Sequence, residues 1–356
     1  MDAIILVGGR GTRLRPLTLG VPKPLLPMAG VPFLAHQLAR LHAAGVDHVV
    51  LATSYRAEQF CDYFGDGARF GVQLEYVTEA EPLGTGGAIR NVADRLHAKP
   101  DEPVIVINGD ILSGHDLRAQ LALHAERSAA VTLHLVEVDD ARSFGCVPID
   151  RDGRVLAFLE KSPQPVTNLI NAGCYVFRRE VIERIPTGRA VSVERETFPE
   201  LLGADELLVG YVENAYWSDI GTPAAFVRAS CDLVRGVVAS PALPGPPGEA
   251  LVMPSADVSD AAAIAGGSFI GERVRVAVNA IVMGSVVLDG AVIESDAVVR
   301  ASIVGVGARV GAGAVLDGAV IGEGSHVGER NELVGGARVW PGVVLPPVSI
   351  RFSSDE

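Results

Sequence analysis

In the first half of the chain, short apolar runs alternate with stretches of helical spacing. The apolar runs predict buried strands at residues 3–7, 48–53, 72–77 and 104–107. The 3.6-residue periodicity predicts helices at residues 33–44, 57–64 and 86–96. Strands that alternate with helices predict a mostly parallel sheet covered on both faces. Ligands bind beyond the carboxyl ends of such strands, and Gly8 and Asp110 would both lie there.

The pattern changes twice further along. An alternating pattern around residues 131–138, 155–159 and 174–177 predicts a substrate-binding portion with more antiparallel strand. Proline and glycine then crowd residues 240–248, which excludes a helix or a central strand there. We therefore expect a first domain over residues 1–239, a linker over 240–250 and a second domain over 251–356.

Aliphatic residues recur at every sixth position after the linker, and each new series begins five residues after the last. The positions are Ile264, Ile270, Val276, Ile281, Val287, Ile293, Val299, Val304, Val310, Leu316, Ile321, Val327, Leu333 and Val339. This period predicts a hexapeptide parallel β-helix, in which short strands turn corners around a shared core. Coils of such a solenoid bury their core only by stacking on one another. A β-sandwich, the alternative, would show period-2 strands and irregular loops.

Composition narrows the class of protein. The 356 residues are 48% apolar and carry a net charge of −13, which disfavours a nucleic-acid partner. The sequence holds no apolar run of the roughly 18 residues that a membrane helix needs, and no secretory signal. The four cysteines form no CxxC pair, so we expect reduced thiols and a cytoplasmic protein.

The segment after the first predicted strand carries glycines and cations suited to phosphate. It reads Leu6-Val-Gly-Gly-Arg-Gly-Thr-Arg13 and continues to Val21-Pro-Lys23-Pro-Leu25. Glycines let backbone N–H groups approach a phosphate closely, while Arg13 and Lys23 supply positive charge. The segment is not a dinucleotide fingerprint, because Leu14 stands where the third glycine belongs, and it lacks a Walker A lysine.

The whole segment resembles the signature of the sugar-phosphate nucleotidyltransferases, also called NDP-sugar pyrophosphorylases. The resemblance recurs in order through residues 1–230, in blocks at 79–88, 108–110, 144–147, 158–161, 171–175, 192–199 and 217–222. The blocks resemble in particular those of the mannose-1-phosphate guanylyltransferases, which carry a C-terminal left-handed β-helix. The resemblance implies an α/β fold with a Rossmann-like, mixed, mostly parallel sheet and such a β-helix. It also implies transfer of a nucleoside monophosphate to a sugar 1-phosphate, or to a sugar-like cyclitol 1-phosphate, with release of pyrophosphate.

The resemblance also implies roles for single residues. The catalytic residues would be Arg13 and Lys23 on the triphosphate and Lys161 on the sugar phosphate. The nucleotide-binding residues would be Leu6, Gly8, Gly9, Gly11, Thr12, Arg13, Glu79, Pro82, Gly84 and Asp110. The sugar-binding residues would be Gly145, Glu160, Lys161, Asn171 and Asp219. Asp110 and Asp219 resemble the family's metal-binding aspartates, and carboxylates suit Mg²⁺. Ser162 departs from the proline that usually follows Glu-Lys, which leaves the sugar open.

The nucleobase can be argued from Glu79. A carboxylate only accepts hydrogen bonds, and guanine offers two adjacent donors where uracil and thymine offer one and adenine offers none. This favours GTP over the alternatives, UTP, dTTP or ATP with glucose 1-phosphate. A non-catalytic regulatory subunit would be expected to have lost motif residues, yet they are present. A β-helix acyltransferase would need a histidine base, and the repeat region holds only His326. We expect an NTP and a sugar 1-phosphate as partners, and a homo-oligomer formed through the β-helix.

Overall fold

The computed structural model describes residues 1–54, 56–159 and 163–351. The chain divides into two compact units, Met1–Gly9 with Gln37–Trp217 and Arg10–His36 with Ser218–Glu356. These units group the chain differently from the expected boundary at residues 240–250, which stays a prediction. Parts of the expected linker are nonetheless anchored within the second unit, since the Gly248 N–H donates to the Val234 carbonyl at 2.8 Å.

Seven of the strands described in residues 1–219 form one mixed sheet. The strands of this region are β1 Asp2–Leu6, β2 Pro27–Met28, β3 Val31–Pro32, β4 His48–Thr53, β5 Gln73–Thr78, β6 Pro103–Asn108, β7 Ile111–Ser113, β8 Val131–Glu137, β9 Leu169–Arg178, β10 Leu208–Val212 and β11 Trp217–Asp219. The seven-stranded sheet has the order β10-β8-β9-β6-β1-β4-β5. Only β9 is antiparallel to its neighbours β6 and β8. The prediction of a mostly parallel, mixed sheet is confirmed.

Helices follow most of these strands. They are α1 Phe33–Ala43, α2 Ala57–Phe64, α3 Gly84–Asn91, α4 Leu117–Arg127, α5 Arg179–Glu183, α6 Phe198–Gly203 and α7 Pro223–Arg235. The helix predicted at 86–96 ends early at Asn91 and is followed by a 3-10 turn, Ala93–Arg95. The strand expected around 155–159 is reduced to isolated bridges from Val155 to Ile149 and from Leu159 to Cys146. No helix among the described residues is both long and apolar enough to cross a membrane.

The C-terminal region consists of short parallel strands in three sheets, consistent with a left-handed β-helix. One sheet has the order β12-β15-β18-β21-β24-β27, a second β13-β16-β19-β22-β25-β28 and a third β14-β17-β20-β23-β26. The strands are β12 Ala250–Val252, β13 Asp257–Val258, β14 Ala263–Ala265, β15 Ser268–Ile270, β16 Arg275–Val276, β17 Ile281–Met283, β18 Val286–Val287, β19 Val292–Ile293, β20 Val298–Arg300, β21 Ile303–Val304, β22 Arg309–Val310, β23 Val315–Asp317, β24 Val320–Ile321, β25 His326–Val327, β26 Glu332–Leu333, β27 Arg338–Val339 and β28 Val344–Leu345.

The six-residue repeat fills the interior of the β-helix, with one correction. Val282 is fully buried while its neighbour Ile281 is half-buried, so the series runs through Val282 and the assignment of Ile281 was wrong by one residue. Both residues are aliphatic, and only the register of Val282 with Val299 decides which points inward. Equivalent inward residues lie 17 residues apart in the middle coils, as Ile270 and Val287 do.

Buried serines close one corner of the middle coils. The hydroxyl oxygens of Ser268 and Ser285 accept the backbone N–H groups of Ser285 and Ser302, each at 3.1 Å. Ser302 accepts the N–H of Ala319 in the same way at 3.0 Å. The three serine side chains are fully buried, so this ladder satisfies backbone donors that the strands leave unpaired at the corner.

Four histidines are buried in neutral form. Burial lowers the pKa of His36, His124 and His134 to about 4 and that of His115 to about 2. His36 contacts the Met28 carbonyl through Nε2 at 2.9 Å and the Ser240 hydroxyl through Nδ1 at 2.6 Å. Because a carbonyl only accepts, Nε2 carries the proton and Nδ1 accepts from Ser240. Ser240 is thereby fixed to His36, near the start of α1.

Candidate active site

Parallel pairing brings the carboxyl ends of four strands to one edge of the sheet. Leu6 is in register with both Ala52 of β4 and Asn108 of β6. The chain continues this pairing past the strand ends, since the Gly109 N–H donates to the Leu6 carbonyl at 2.9 Å. Gly8, Glu79 and Asp110 therefore lie along the same edge, which confirms the position predicted for Gly8 and Asp110.

Gly8 and Gly9 open the segment predicted to bind phosphate at this edge. Both are exposed, and the Ser54 hydroxyl after β4 donates to the Gly8 carbonyl at 2.6 Å. A Cβ at Gly8 would approach the Ser54 hydroxyl to 3.0 Å, whereas nothing lies within 4 Å of a Cβ at Gly9. The backbone of this segment is thus held from one side and open on the other.

Glu79 follows β5 and is folded back onto the sheet. Its N–H donates to the Thr53 carbonyl at 2.8 Å, and its Oε2 accepts the Leu83 N–H at 3.3 Å. The residue is only 9% exposed, and its Oε1 is buried without a hydrogen-bond partner among the described residues. Burial raises the pKa of this carboxyl, opposed by the Leu83 N–H. A buried acceptor left open in this way is suited to a ligand with N–H donors.

Pro82 and Gly84 lead from Glu79 into α3. Both are exposed, and Gly84 has a φ of +70°. A Cβ there would lie 2.6 Å from the Val191 carbonyl oxygen, so both the backbone conformation and the close approach require glycine. The Val191 carbonyl also accepts the Gly86 N–H at 2.8 Å, which ties the start of α3 to the segment before residue 192.

The remaining residues predicted to bind phosphate lie in the second unit. Gly11 begins a 3-10 turn, Thr12–Leu14, in which Thr12 and Arg13 are exposed. Lys23 is 8% exposed and opens another 3-10 turn, Lys23–Leu25. A Cβ built on Gly11 would lie 3.1 Å from the Cβ of Lys23. The structure thus brings the glycine-rich turn and Lys23 together.

Arg13 also meets the block that contains Asp219. A Cβ at Gly221 would lie 2.7 Å from Nη2 of Arg13, so the guanidinium lies directly against the backbone two residues after Asp219. Asp219 itself is the last residue of β11 and is half-buried. Any side chain at position 221 would displace the guanidinium of Arg13.

A cavity of about 670 Å³ in the first unit contains two of the predicted sugar-binding residues, Gly145 and Asn171. Its walls combine aromatic groups such as Phe144 and Phe158 with polar groups such as Ser192 and Glu194. Apolar walls with a few polar groups are typical of small-molecule sites. Glu160 and Lys161 lie outside the described residues, so their predicted roles stay predictions.

The sequence assigned no role to Glu194, which connects this cavity to the start of α3. Its Oε2 accepts the hydroxyls of Thr85 and Ser192, each at 3.0 Å. Its Oε1 accepts the hydroxyl of buried Tyr175 at 3.4 Å, and that hydroxyl accepts the Asn171 amide at 2.7 Å. Glu194 lies in a π-helical turn, Val193–Thr197, a conformation that often marks functional sites. The sequence could have pointed to Glu194 through its place in the block at 192–199, one of those that resemble the family.

One group of side chains has metal-ligand spacing, but it lies at the opposite end of the strands. Ligand atoms of Asp2, His48 and His97 fall within 4.8 Å of one another. Both Asp2 oxygens already accept hydrogen bonds, from His48 at 2.9 Å and from the N–H groups of His97 and Ala98 at 2.6 and 2.8 Å. This group therefore joins the amino ends of β1 and β4 and is separate from the carboxyl edge.

Comparison with known proteins shows the family to which the chain belongs. Residues 2–236 match the family model of the nucleotidyl transferases. The chain belongs to this family. The nucleotidyl transferase continues into residues 247–350, which match the model described as the GMPPB C-terminal domain. The expected family and the α/β fold with a β-helix are confirmed.

Relatives of this nucleotidyl transferase include two proteins that cover most of its length. It is 57% identical to a mannose-1-phosphate guanylyltransferase of Mycobacterium tuberculosis, over 100% of this chain and 98% of that protein. It is 36% identical to mannose-1-phosphate guanylyltransferase 1 of Arabidopsis thaliana, over 81% of this chain and 80% of that protein. The prediction of a sugar-1-phosphate nucleotidyltransferase of the guanylyltransferase type is confirmed.

A solved structure is similar to the nucleotidyl transferase portion. HddC from Yersinia pseudotuberculosis complexed with GMP-PN has a TM-score of 0.55 and 33% sequence identity. The match covers 64% of this chain and 97% of HddC. The individual site residues are not tested by these likenesses and stay predictions.

Proposed function

We propose that this enzyme transfers GMP from GTP to mannose 1-phosphate and releases pyrophosphate. The observation that carries the choice of base is the buried Oε1 of Glu79, which lacks a partner among the described residues at the carboxyl edge of the sheet. The choice of mannose rests on the relative that is 57% identical over the whole chain. The neighbour complexed with GMP-PN supports the same class of nucleotide.

Guanine complements Glu79 better than the other bases. Its N1–H and 2-amino group are adjacent donors, and the Glu79 carboxylate offers acceptors only. One carboxylate oxygen is already engaged by the Leu83 N–H at 3.3 Å, so the open Oε1 is the atom we assign to the base. Adenine, which offers no donor at that position, would leave this buried oxygen unpaired, and an unpaired buried acceptor costs binding energy.

The reaction requires two polyanions to meet in line. An oxygen of the sugar phosphate attacks the α-phosphorus of GTP, a new P–O bond forms, and the bond to the bridging oxygen of the β-phosphate breaks. We assign Arg13 to the β- and γ-phosphates, where it would stabilise the negative charge on departing pyrophosphate. Lys23 would hold the phosphates as a compact ammonium. Positioning and charge neutralisation account for catalysis in this scheme, and no covalent intermediate is needed.

We assign Asp110 and Asp219 to a magnesium ion. Two carboxylates with phosphate oxygens form the hard oxygen donor set that Mg²⁺ prefers. Asp110 follows β6 at the same edge as Gly8, which fits binding close to the triphosphate. When bound, the ion would offset negative charge on the α-phosphate.

The sugar is assigned to the cavity that Asn171 lines. The orientation of its amide is fixed, because Oδ1 accepts the Gly173 N–H at 3.0 Å and Nδ2 donates to Tyr175 at 2.7 Å. Nδ2 retains a second hydrogen for a sugar hydroxyl. Glu160 and Lys161 would complete the recognition of the sugar and its phosphate.

Pyrophosphate release tests the proposal. Purified enzyme with Mg²⁺ is assayed with four NTPs against mannose, glucose and heptose 1-phosphates, and we expect release with GTP and mannose 1-phosphate. Chelation by EDTA and Asp110→Asn should each abolish release, whereas Asp260→Asn, at an exposed position in the β-helix, should not. A preference for UTP or dTTP would contradict the base assignment, and preference for another sugar phosphate would contradict mannose.

We also propose that the β-helix forms a homo-oligomer. Its last coil exposes large apolar side chains, with Trp340 47% and Val344 65% exposed. Exposed apolar clusters of this kind mark association surfaces. Light scattering after size-exclusion chromatography should give a mass above one chain, and Trp340→Glu should lower it. A monomeric wild type would contradict the proposal.

A further inference from the structure

An arginine of the β-helix contacts the backbone of the phosphate-binding segment. Arg338 is the first residue of β27. Its Nη1 donates to the carbonyl oxygen of Arg13 at 3.0 Å and to that of Arg15 at 2.7 Å. More than 300 residues separate the partners in sequence, and all three lie in the second compact unit.

These two carbonyls need a donor from elsewhere. The Thr12–Leu14 turn is a single 3-10 turn that ends with the Arg15 N–H on the Thr12 carbonyl at 3.2 Å. Carbonyls at the end of a helical turn have no partner within the turn, and basic side chains commonly bind such carbonyls. One guanidinium serves both oxygens because its N–H groups are held in a fixed plane.

Arg13 is therefore held at two points. Its carbonyl accepts from Arg338, and its guanidinium lies against the backbone of Gly221. The first contact fixes where the side chain begins, and the second limits where it ends. Arg338 also adds a positive charge beside a segment that already carries Arg13 and Arg15, which raises the local attraction for a polyanion.

We propose that Arg338 is a positioning residue for nucleotide binding, through which the β-helix holds the turn that presents Arg13 to the triphosphate. This rests on the proposed role of Arg13 in GTP binding. The β-helix is then part of the nucleotide site and not only a means of association. A β-helix that served association alone would have no need of a guanidinium on these two carbonyls.

The experiment compares three variants of the full-length enzyme. Arg338→Met removes the donors and keeps an apolar stem, and Arg338→Lys keeps the charge but not the planar pair of contacts. Arg275→Met is the matched control, because Arg275 is exposed and opens β16 just before an inward valine, as Arg338 does before Val339. Arg338→Met and Arg275→Met change the net charge equally, so net charge alone cannot explain a difference between these two variants.

We expect Arg338→Met to raise the KM for GTP about tenfold, as loss of hydrogen bonds from a charged donor would, with the KM for the sugar phosphate unchanged. Arg338→Lys should recover part of the loss, and Arg275→Met should match the wild type. Amide hydrogen exchange in residues 11–20 should speed up in Arg338→Met alone, while the melting temperatures of all variants stay close to that of the wild type.

Three outcomes would overturn the inference. They are an unchanged KM for GTP in Arg338→Met of an active enzyme, unchanged amide exchange in residues 11–20, and an equal loss for both substrates with a lower melting temperature. If the wild type itself releases no pyrophosphate with any substrate pair, the proposed function fails. Amide exchange in residues 11–20 would still decide whether Arg338 holds the turn, so the two failures are distinguishable.

Discussion

Replacement of Glu79 by glutamine turns the carboxylate that we assign to the base into an amide and keeps the shape of the side chain. The wild-type carboxylate has one oxygen on the Leu83 N–H and the other buried and open. Glutamine would place an amide N–H₂ at one of these positions. If the amide nitrogen faces the base, it meets the guanine donors instead of accepting from them. If it faces Leu83, two donors oppose each other there.

The size of the effect follows from the bond that is lost. A hydrogen bond to a charged acceptor contributes about 1.5–3 kcal/mol, which corresponds to a fall in kcat/KM for GTP of roughly 10- to 150-fold. The rate with ATP should fall little, because adenine offers no donor to the carboxylate. The ratio of kcat/KM for GTP to that for ATP should therefore collapse by nearly the same factor.

The stability of Glu79→Gln should not fall with its activity. Burial raises the pKa of Glu79 above its unfolded value, so the ionised form is disfavoured in the folded state and costs stability at neutral pH. Glu79→Gln removes that cost, and its melting temperature at pH 7 should equal or exceed that of the wild type. A loss of GTP turnover therefore cannot be attributed to unfolding.

The assay measures initial rates of pyrophosphate release over a range of GTP and ATP concentrations at pH 7. Glu81→Gln is the matched control, because Glu81 lies two residues away and is exposed. It should keep the wild-type preference. The role of Glu79 in recognising the base would be refuted if the ratio of kcat/KM for GTP to that for ATP in Glu79→Gln stayed within a factor of about two of the wild type. A change that small is well below the effect of losing one hydrogen bond to a charged acceptor.

Three further predictions concern the rest of the molecule. Since His36 has its pKa lowered to about 4 by burial, the unfolded chain binds more protons between pH 6.5 and 4. Stability should fall as pH drops through that window, by at most about 3 kcal/mol for this group, and His36→Gln should flatten the fall in urea midpoints. Ser285→Ala leaves the buried Ser302 N–H without its acceptor and should cost about 1–3 kcal/mol in urea unfolding. A cost no larger than that of half-buried Ser295→Ala would contradict this. Gly221→Ala should displace Arg13 and lower kcat/KM about tenfold, whereas Gly20→Ala, where nothing lies within 4 Å of a Cβ, should not.

The carboxyl edge could be predicted because parallel register follows from buried apolar runs. When β1, β4 and β6 pair in parallel, the residues that follow them must lie at the same edge of the sheet. The burial of Glu79 could not be predicted in this way. It depends on the backbone folding back so that its N–H reaches the Thr53 carbonyl, and no periodicity in the sequence signals that turn.

Other parts of the structure were not predicted from the sequence, for two different reasons. Helix α7 had clear signals that were passed over, with Thr222 as N-cap, Pro223 at the first position and Gly236 at the end. The contact of Arg338 with Arg13 had none, because 325 residues separate them and the repeat does not distinguish Arg338 from Arg275, which also precedes an inward valine. Neighbouring aliphatic residues such as Ile281 and Val282 are ambiguous by nature, and only the stacking of coils resolves them.

The spacing of the β-helix limits how this protein can change in length. Equivalent inward residues are 17 apart in the middle coils, as with Val287 and Val304. They are 18 apart at the first coil, between Ile264 and Val282, and at the last, between Ile321 and Val339. A single inserted or deleted residue within a strand would turn every later valine of its coil toward solvent. Growth or loss is therefore tolerated in whole coils or at the corners. The extra residue of the last coil falls at such a corner, where the glycine pair at 335–336 lies. Because Arg338 follows two residues later, a lineage that gained or lost a coil would also have to find a new partner for the turn at Arg13.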